Sequence, residues 1–240
     1  MNAFGAVFAA VAQALRDLTR GDILRHVLWP PLVAVIGGVT LGVFFWSAAH
    51  AALMSWLPSI PWSGLQWLGD VAAGFLLIAT LGALIYCLTL MLVGAVSLPL
   101  MMTRVAARDY PDLQRHGENA FWGGVANTLV AGAIFTVGWL LTLPLLLIPG
   151  VVLVQPLAWT AWLNQRAFRF DALAEHATAS ERKRLAERER GSFAAAGAIT
   201  ALAAAVPVVN LLAPGFAALV FVHLGLGALR RLRREEGVEL

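Results

Sequence analysis

Apolar positions along this 240-residue chain gather into four charge-free runs: Val27 to Gly69, Val71 to Thr103, Ala120 to Gln165, and Ser192 to Leu229. A membrane-spanning helix needs about 20 such residues, rising 1.5 Å each, to cross about 30 Å of hydrocarbon. The first two runs each fit one crossing. Residues 27–103 therefore read as two spanning helices joined by LPSIPWSGLQW (57–67). The third and fourth runs are too long for one helix and must fold back. Both carry similar punctuation. TLPLLLIPG (142–150) holds Pro144, Pro149 and Gly150, and VPVVNLLAPG (206–215) holds Pro207, Asn210, Pro214 and Gly215. Proline cannot continue a helix interior, and Pro-Gly marks a turn. Two hairpins follow, 120–165 and 192–229.

Arm length separates the hairpins. Gly123–Leu143 is long enough to span, and the returning Val151–Leu163 is shorter. In the second hairpin, Ser192–Val206 and Gly215–Leu229 each reach only about 22 Å as helix. That pair is expected to be re-entrant, its tip sheltered by protein. Pro214-Gly215 would open the return arm, and Asn210 would cap that helix or bridge to the first hairpin. In residues 1–20, Phe4, Val7, Phe8, Val11, Leu15 and Leu18 form a stripe at helical spacing opposite an Ala/Gly face. This predicts an amphipathic helix lying at the membrane interface. No cleavable signal peptide is expected, because no basic segment opens these residues.

Composition agrees. Apolar residues are 60% of the chain, against about 45–50% in soluble domains. Charged residues are 13%, against about 25%; mean hydropathy is +0.76. The expected fold is a single all-α integral membrane domain with two long transmembrane helices, two Pro-broken helical hairpins and an N-terminal amphipathic helix.

Charge supplies orientation. The 17 Lys and Arg residues fall in four segments, Arg16 to Arg25, Arg104 to Arg115, Arg166 to Arg190, and Arg230 to Arg234. The positive-inside rule assigns all four to the cytoplasm. Both termini are then cytoplasmic, in a multi-pass membrane protein. The linker at 57–67 is external, with Trp56, Trp62 and Trp67 as anchors; Trp29, Trp122 and Trp162 suit the inner belt. The pI of 9.7 reflects these arginine-rich segments, and no nucleic-acid partner is implied. Residues 166–191 read as a cytoplasmic helical extension, and 230–240 as a basic tail. Thr178 and Glu181 have capping-box spacing. Lys183 and Glu187 are placed to pair across a turn of a solvated face.

Catalytic signatures are absent. The sequence has no H-E-x-x-H, C-x-x-C or G-x-S-x-G, and its five histidines do not share metal-ligand spacing. No enzyme activity, metal or cofactor is called for. The single cysteine, Cys87, leaves no intrachain disulfide. Asn127, Gln155, Asn210 and His223, inside apolar runs, are expected to hydrogen-bond between helices, with a ligand role open for His223. The candidate site is the entry to the first run, Thr19 to Pro30. It reads as helix, break at Gly21, new helix. A helix start offers free N–H groups and a positive dipole end. Gly21, Leu24, Arg25 and His26 would form an anion site there. Arg25 supplies a two-pronged donor, and His26 adds charge at lower pH. The competing reading has Arg25 anchoring the helix to lipid phosphates, and Asp22 weakens an anion site.

Three stretches carry a resemblance: RGDILRHVLWPPLV (20–33), LNQRAFRFDALAEHA (163–177) and VPVVNLLAP (206–214). With the order of the runs, the chain resembles the CysZ sulfate-permease family, which shares a domain with the eukaryotic etoposide-induced membrane proteins. The resemblance implies two long helices and two pairs of partly penetrating helices. It also implies inward carriage of sulfate for cysteine biosynthesis, without an ATP-binding subunit, by a homo-oligomer in contact with membrane lipids. The family's sulfate site is a Gly-Leu-Arg-Arg element opening the first long helix. Here Arg25 matches one arginine, Gly21 stands further upstream, and Leu24 or His26 replaces the second. The expected function is sulfate or related oxyanion permeation. The alternative is a non-transporting membrane scaffold whose 167–191 segment docks a partner.

Overall fold

The computed structural model describes residues 3–56, 67–117, 120–142, 144, 145, 148, 150–210 and 212–238. The linker residues 57–66, with Trp62, and Pro149 of the first hairpin tip lie outside the described residues. The chain is an all-α integral membrane protein. Its helices are α1 (Ala3–Leu18), α2 (Gly21–Trp56), α3 (Trp67–Leu92), α4 (Leu98–Asp109), α5 (Ala120–Thr142), α6 (Val151–Ala174), α7 (Ala179–Arg188), α8 (Arg190–Ala204), α9 (Pro207–Asn210) and α10 (Ala213–Glu236). Among the described residues α2, α5 and α10 are long and apolar enough to cross a membrane.

Two compact units divide the chain, Leu28–Gly94 in one and Met1–Val27 with Ala95–Leu240 in the other. The boundaries fall at helix irregularities. Pro30 and Pro31 lie inside α2 just after the first. A π-helical turn, Val93–Ser97, joins α3 to α4 at the second. Proline removes an intrahelical bond and a π turn adds a residue to the ladder, so each is a place where a helix bends.

In the unit Leu28–Gly94, α2 and α3 approach through glycines. A Cβ on Gly42 would sit 2.7 Å from Leu81 Cδ2, and one on Gly38 would collide with Ile85. Small residues let apolar helices touch where no hydrophobic force from water drives them together. The outer faces present Val43, Phe44, Phe75 and Ile78, all strongly exposed, as lipid-facing surfaces require.

In the other unit α10 is the axis. Between Ala213 and Leu232 nearly every residue is buried, against α1, α4, α6 and α8. The return arm of the second hairpin is therefore not the short Gly215–Leu229 segment that the charge-free run suggests. It continues to Glu236, and residues 230–236 of the expected basic tail form its last two turns. The outgoing arm, α8, has the short length expected. Likewise α6 runs through Ala174, so the first hairpin's return arm and the start of the expected extension are one helix.

The N-terminal helix divides its stripe, with Val7 buried and Val11 and Leu18 packed against the core, while Phe4, Phe8 and Leu15 face outward. Ala6, Ala10 and Ala14 are also buried. The small face lets α1 lie close to α10 and α8.

Candidate anion site and its supporting network

The elbow between α1 and α2 forms as the sequence predicts. The Thr19 N–H and Oγ1 both donate to the Arg16 carbonyl, closing α1. Gly21 is the first residue of α2, and the Ile23 and Leu24 N–H groups bond back to Arg20. Arg16, Arg20 and Arg25 are exposed and make no ion pair with a described residue. Leu24 is half-buried and contributes backbone and packing.

His26 departs from its expected role. It is buried at 8% exposure, and both ring nitrogens are bonded. Nδ1 lies 2.7 Å from the Asp22 carbonyl, and Nε2 lies 2.9 Å from Arg104 Nη1 on α4. A carbonyl only accepts and a guanidinium only donates. The proton is thus on Nδ1, the ring is neutral, and His26 acts as an acceptor rather than as an added cation.

Behind the elbow lies a charged cluster that ties together α1, α4 and α10. His223 Nε2 is 3.0 Å from Asp17 Oδ2, and Arg108 Nη2 donates to Asp17 Oδ1 at 2.5 Å. Arg108 also forks onto both Asp109 oxygens at 2.9 Å. The Tyr110 hydroxyl donates to the His223 carbonyl at 3.1 Å. Burial opposes ionisation of Asp17, but the His223 hydrogen bond and the His223 and Arg108 charges prevail, holding its carboxyl below the usual range. Burial pushes the Tyr110 hydroxyl up to about 12. Asp17, Asp109 and His223 cluster closely enough to suggest a metal site. The Arg108 guanidinium already rests on both carboxylates, where a cation would sit. His223 thus follows its interhelical reading.

The C-terminal arginines are each paired with a carboxylate. Arg233 is fully buried; Nε donates to Glu181 Oε1 at 2.8 Å, Nη2 to the His176 carbonyl at 2.8 Å, and Nη1 to the Gln114 carbonyl at 3.0 Å. Thr178 and Glu181 form the capping box read from their spacing. Arg184 and Arg188 pair with Glu236 and Glu235, and the expected Lys183–Glu187 pair does not form. Lys183, Arg184, Glu187 and Arg188 lie on an exposed face, as expected, and the two arginines also tie the segment to the end of α10.

Both hairpin tips use their punctuation, in different ways. Gly150 is the N-cap of α6 at φ 89°, a left-handed conformation that favours glycine; Pro144 lies in the connection before it. Pro207 opens the short helix α9. Asn210 Nδ2 donates to the Ala204 carbonyl at 2.7 Å. It therefore caps the end of the outgoing arm, where carbonyls lack helical partners, and not the return helix. Pro214 and Gly215 do open α10. A Cβ on Gly215 would lie 2.6 Å from Val27 Cγ1, so glycine lets α10 meet the first turns of α2. Across the first hairpin, Gln155 Nε2 and Trp159 Nε1 donate to Thr142 Oγ1, and Asn127 donates to the Arg166 carbonyl.

A family model described as sulfate transporter CysZ/etoposide-induced protein 2.4 matches residues 10–214. The chain belongs to this family. The match takes in the elbow, both hairpin turns and the Asp17–Arg108 pair of the CysZ/etoposide-induced 2.4 chain. Comparisons with curated proteins and with solved structures gave no match. Sequence reading located Arg25 and Gly21 but missed Arg104, Asp17 and Arg108. Their partners lie many tens of residues away, and only the coincidence of charge with apolar flanks marks them.

Proposed function

We propose that this chain is a permease for sulfate or a closely related oxyanion, and that it captures the anion at the α1–α2 elbow. The carrying observation is the contrast between arginines. Those of α10 are each held by a carboxylate, whereas Arg16, Arg20 and Arg25 surround a helix start with their charge uncompensated. The family's description as a sulfate transporter supports this substrate class. Exposed arginines favour weak, exchangeable contacts, as passage requires. The cytoplasmic placement of the elbow, a bacterial inner membrane and a homo-oligomer belong to the same reading. The pairing of α7 arginines with α10 carboxylates favours permeation over the scaffold alternative, because it uses charges that a docking surface would leave unpaired. Liposomes containing purified protein are expected to take up radiolabelled sulfate, and Arg25→Ala to reduce uptake at low sulfate. Absence of uptake by folded, correctly oriented protein refutes the reading.

A further inference from the structure

We infer that Arg104 of α4 is a further oxyanion-binding cation at the elbow, held in position by His26. This rests on the proposed function and adds a binding residue to it. Arg104 and Arg108 stand one turn apart on α4, in opposite electrostatic states. Arg108 is compensated by Asp17 and Asp109. Arg104 forms no ion pair with a described residue, and its hydrogen bond goes to Nε2 of His26, a neutral acceptor. It is half-buried. A guanidinium that gives up water while keeping its full charge is unfavourable unless an anion replaces the lost solvation.

Geometry supplies the rest. The bond to His26 engages one N–H of the five that a guanidinium carries. The others are left for a tetrahedral oxyanion, which a planar fork binds through two oxygens. His26 follows Arg25 directly in α2, and its ring is fixed by the bond to the Asp22 carbonyl. Arg16, Arg20 and Arg25 are exposed around the start of α2, and Arg104, through its bond to His26, brings a half-buried positive charge to the same turn from α4. His26 is then a positioning residue and Arg104 a binding residue.

The test is radiolabelled sulfate binding to the full chain in nanodiscs, of phosphatidylcholine alone or with phosphatidylglycerol. In phosphatidylcholine, Arg104→Ala is expected to weaken sulfate binding by at least about tenfold, the usual cost of losing a hydrogen bond to a charged group. Arg104→Lys, which keeps charge but not the fork, should fall between. His26→Leu should weaken binding, His26→Gln, which keeps an acceptor oxygen, should restore part of it, and His26→Leu should add nothing in the Arg104→Ala background. Unchanged binding by folded Arg104→Ala overturns the inference and leaves the permease reading standing. A wild type that binds no sulfate in either disc also overturns it, while the liposome uptake assay decides the permease reading separately. An Arg104→Ala effect confined to phosphatidylglycerol discs overturns it too, assigning Arg104 to a lipid headgroup.

Discussion

Arg233 is the clearest case of a side chain whose surroundings decide its meaning. With Glu181 it forms an ion pair out of contact with water, completed by two backbone carbonyls. Breaking such a pair strands a buried charge. Arg233→Ala is expected to lower stability by about 3–5 kcal/mol, whereas replacing both partners with apolar residues of similar volume should cost much less. Chemical denaturation in detergent, followed by tryptophan fluorescence, measures the difference. Close by, His176 is 2% exposed. Burial first, then the charges of Arg115 and Arg233, lower its pKa from 6.5 to about 4. The folded protein therefore binds fewer protons than the unfolded chain between about 6.5 and 4, so stability is full above that window and is lost as pH falls through it. The unfolding temperature should drop across that range, and His176→Gln should flatten the drop. The Thr178–Glu181 box was legible because both residues lie within one turn. The grip of Glu181 on Arg233 was not, since 52 residues separate them and sequence spacing carries no signal at that range.

At the scale of elements, helix contacts here turn on glycine, and two contacts differ in a way that mutation can expose. A Cβ on Gly197 of α8 would lie 2.5 Å from the Ala161 carbonyl oxygen of α6. Backbone cannot move aside without displacing a helix. On Gly215 of α10 the same atom would meet Val27 Cγ1 at 2.6 Å, and a side chain can be shortened. Both Gly→Ala changes should destabilise by about 1–3 kcal/mol, as overpacking does. Adding Val27→Ala should recover much of the loss for Gly215→Ala and none for Gly197→Ala. Thermal unfolding of the four variants is sufficient, and equal rescue of both would show that these contacts are looser than described. The sequence marked Gly215 as turn punctuation beside Pro214. It could not mark its contact with Val27, because the partner sits 188 positions earlier in the numbering.

At the scale of the whole molecule, hydropathy and proline placement were enough to reveal spanning helices and two hairpins. Hydropathy could not distinguish lipid from protein as the neighbour of an apolar face. α2 and α10 both qualify as spans, yet the apolar window of α2 is 11% buried and that of α10 is 89% buried. The same ambiguity hid which side of α1 meets protein: its alanines do, and its phenylalanines do not. The consequence for topology is an asymmetry between hairpins. α5, with 23 residues, is about 34 Å long and reaches across the hydrocarbon. α8, with 15 residues, is about 22 Å long, shorter than that thickness. In a Cys87→Ala background, Ile148→Cys at the first tip should react with a membrane-impermeant maleimide added outside intact cells. Val206→Cys at the second tip should not, although both positions are exposed in the protein. Lys183→Cys on α7, which the arginine placement assigns to the cytoplasm, should react only in inverted vesicles. Outside labelling of Val206→Cys would show that the second hairpin crosses fully. Outside labelling of Lys183→Cys would reverse the orientation inferred from arginine placement and put the elbow, with its uncompensated arginines, on the external face.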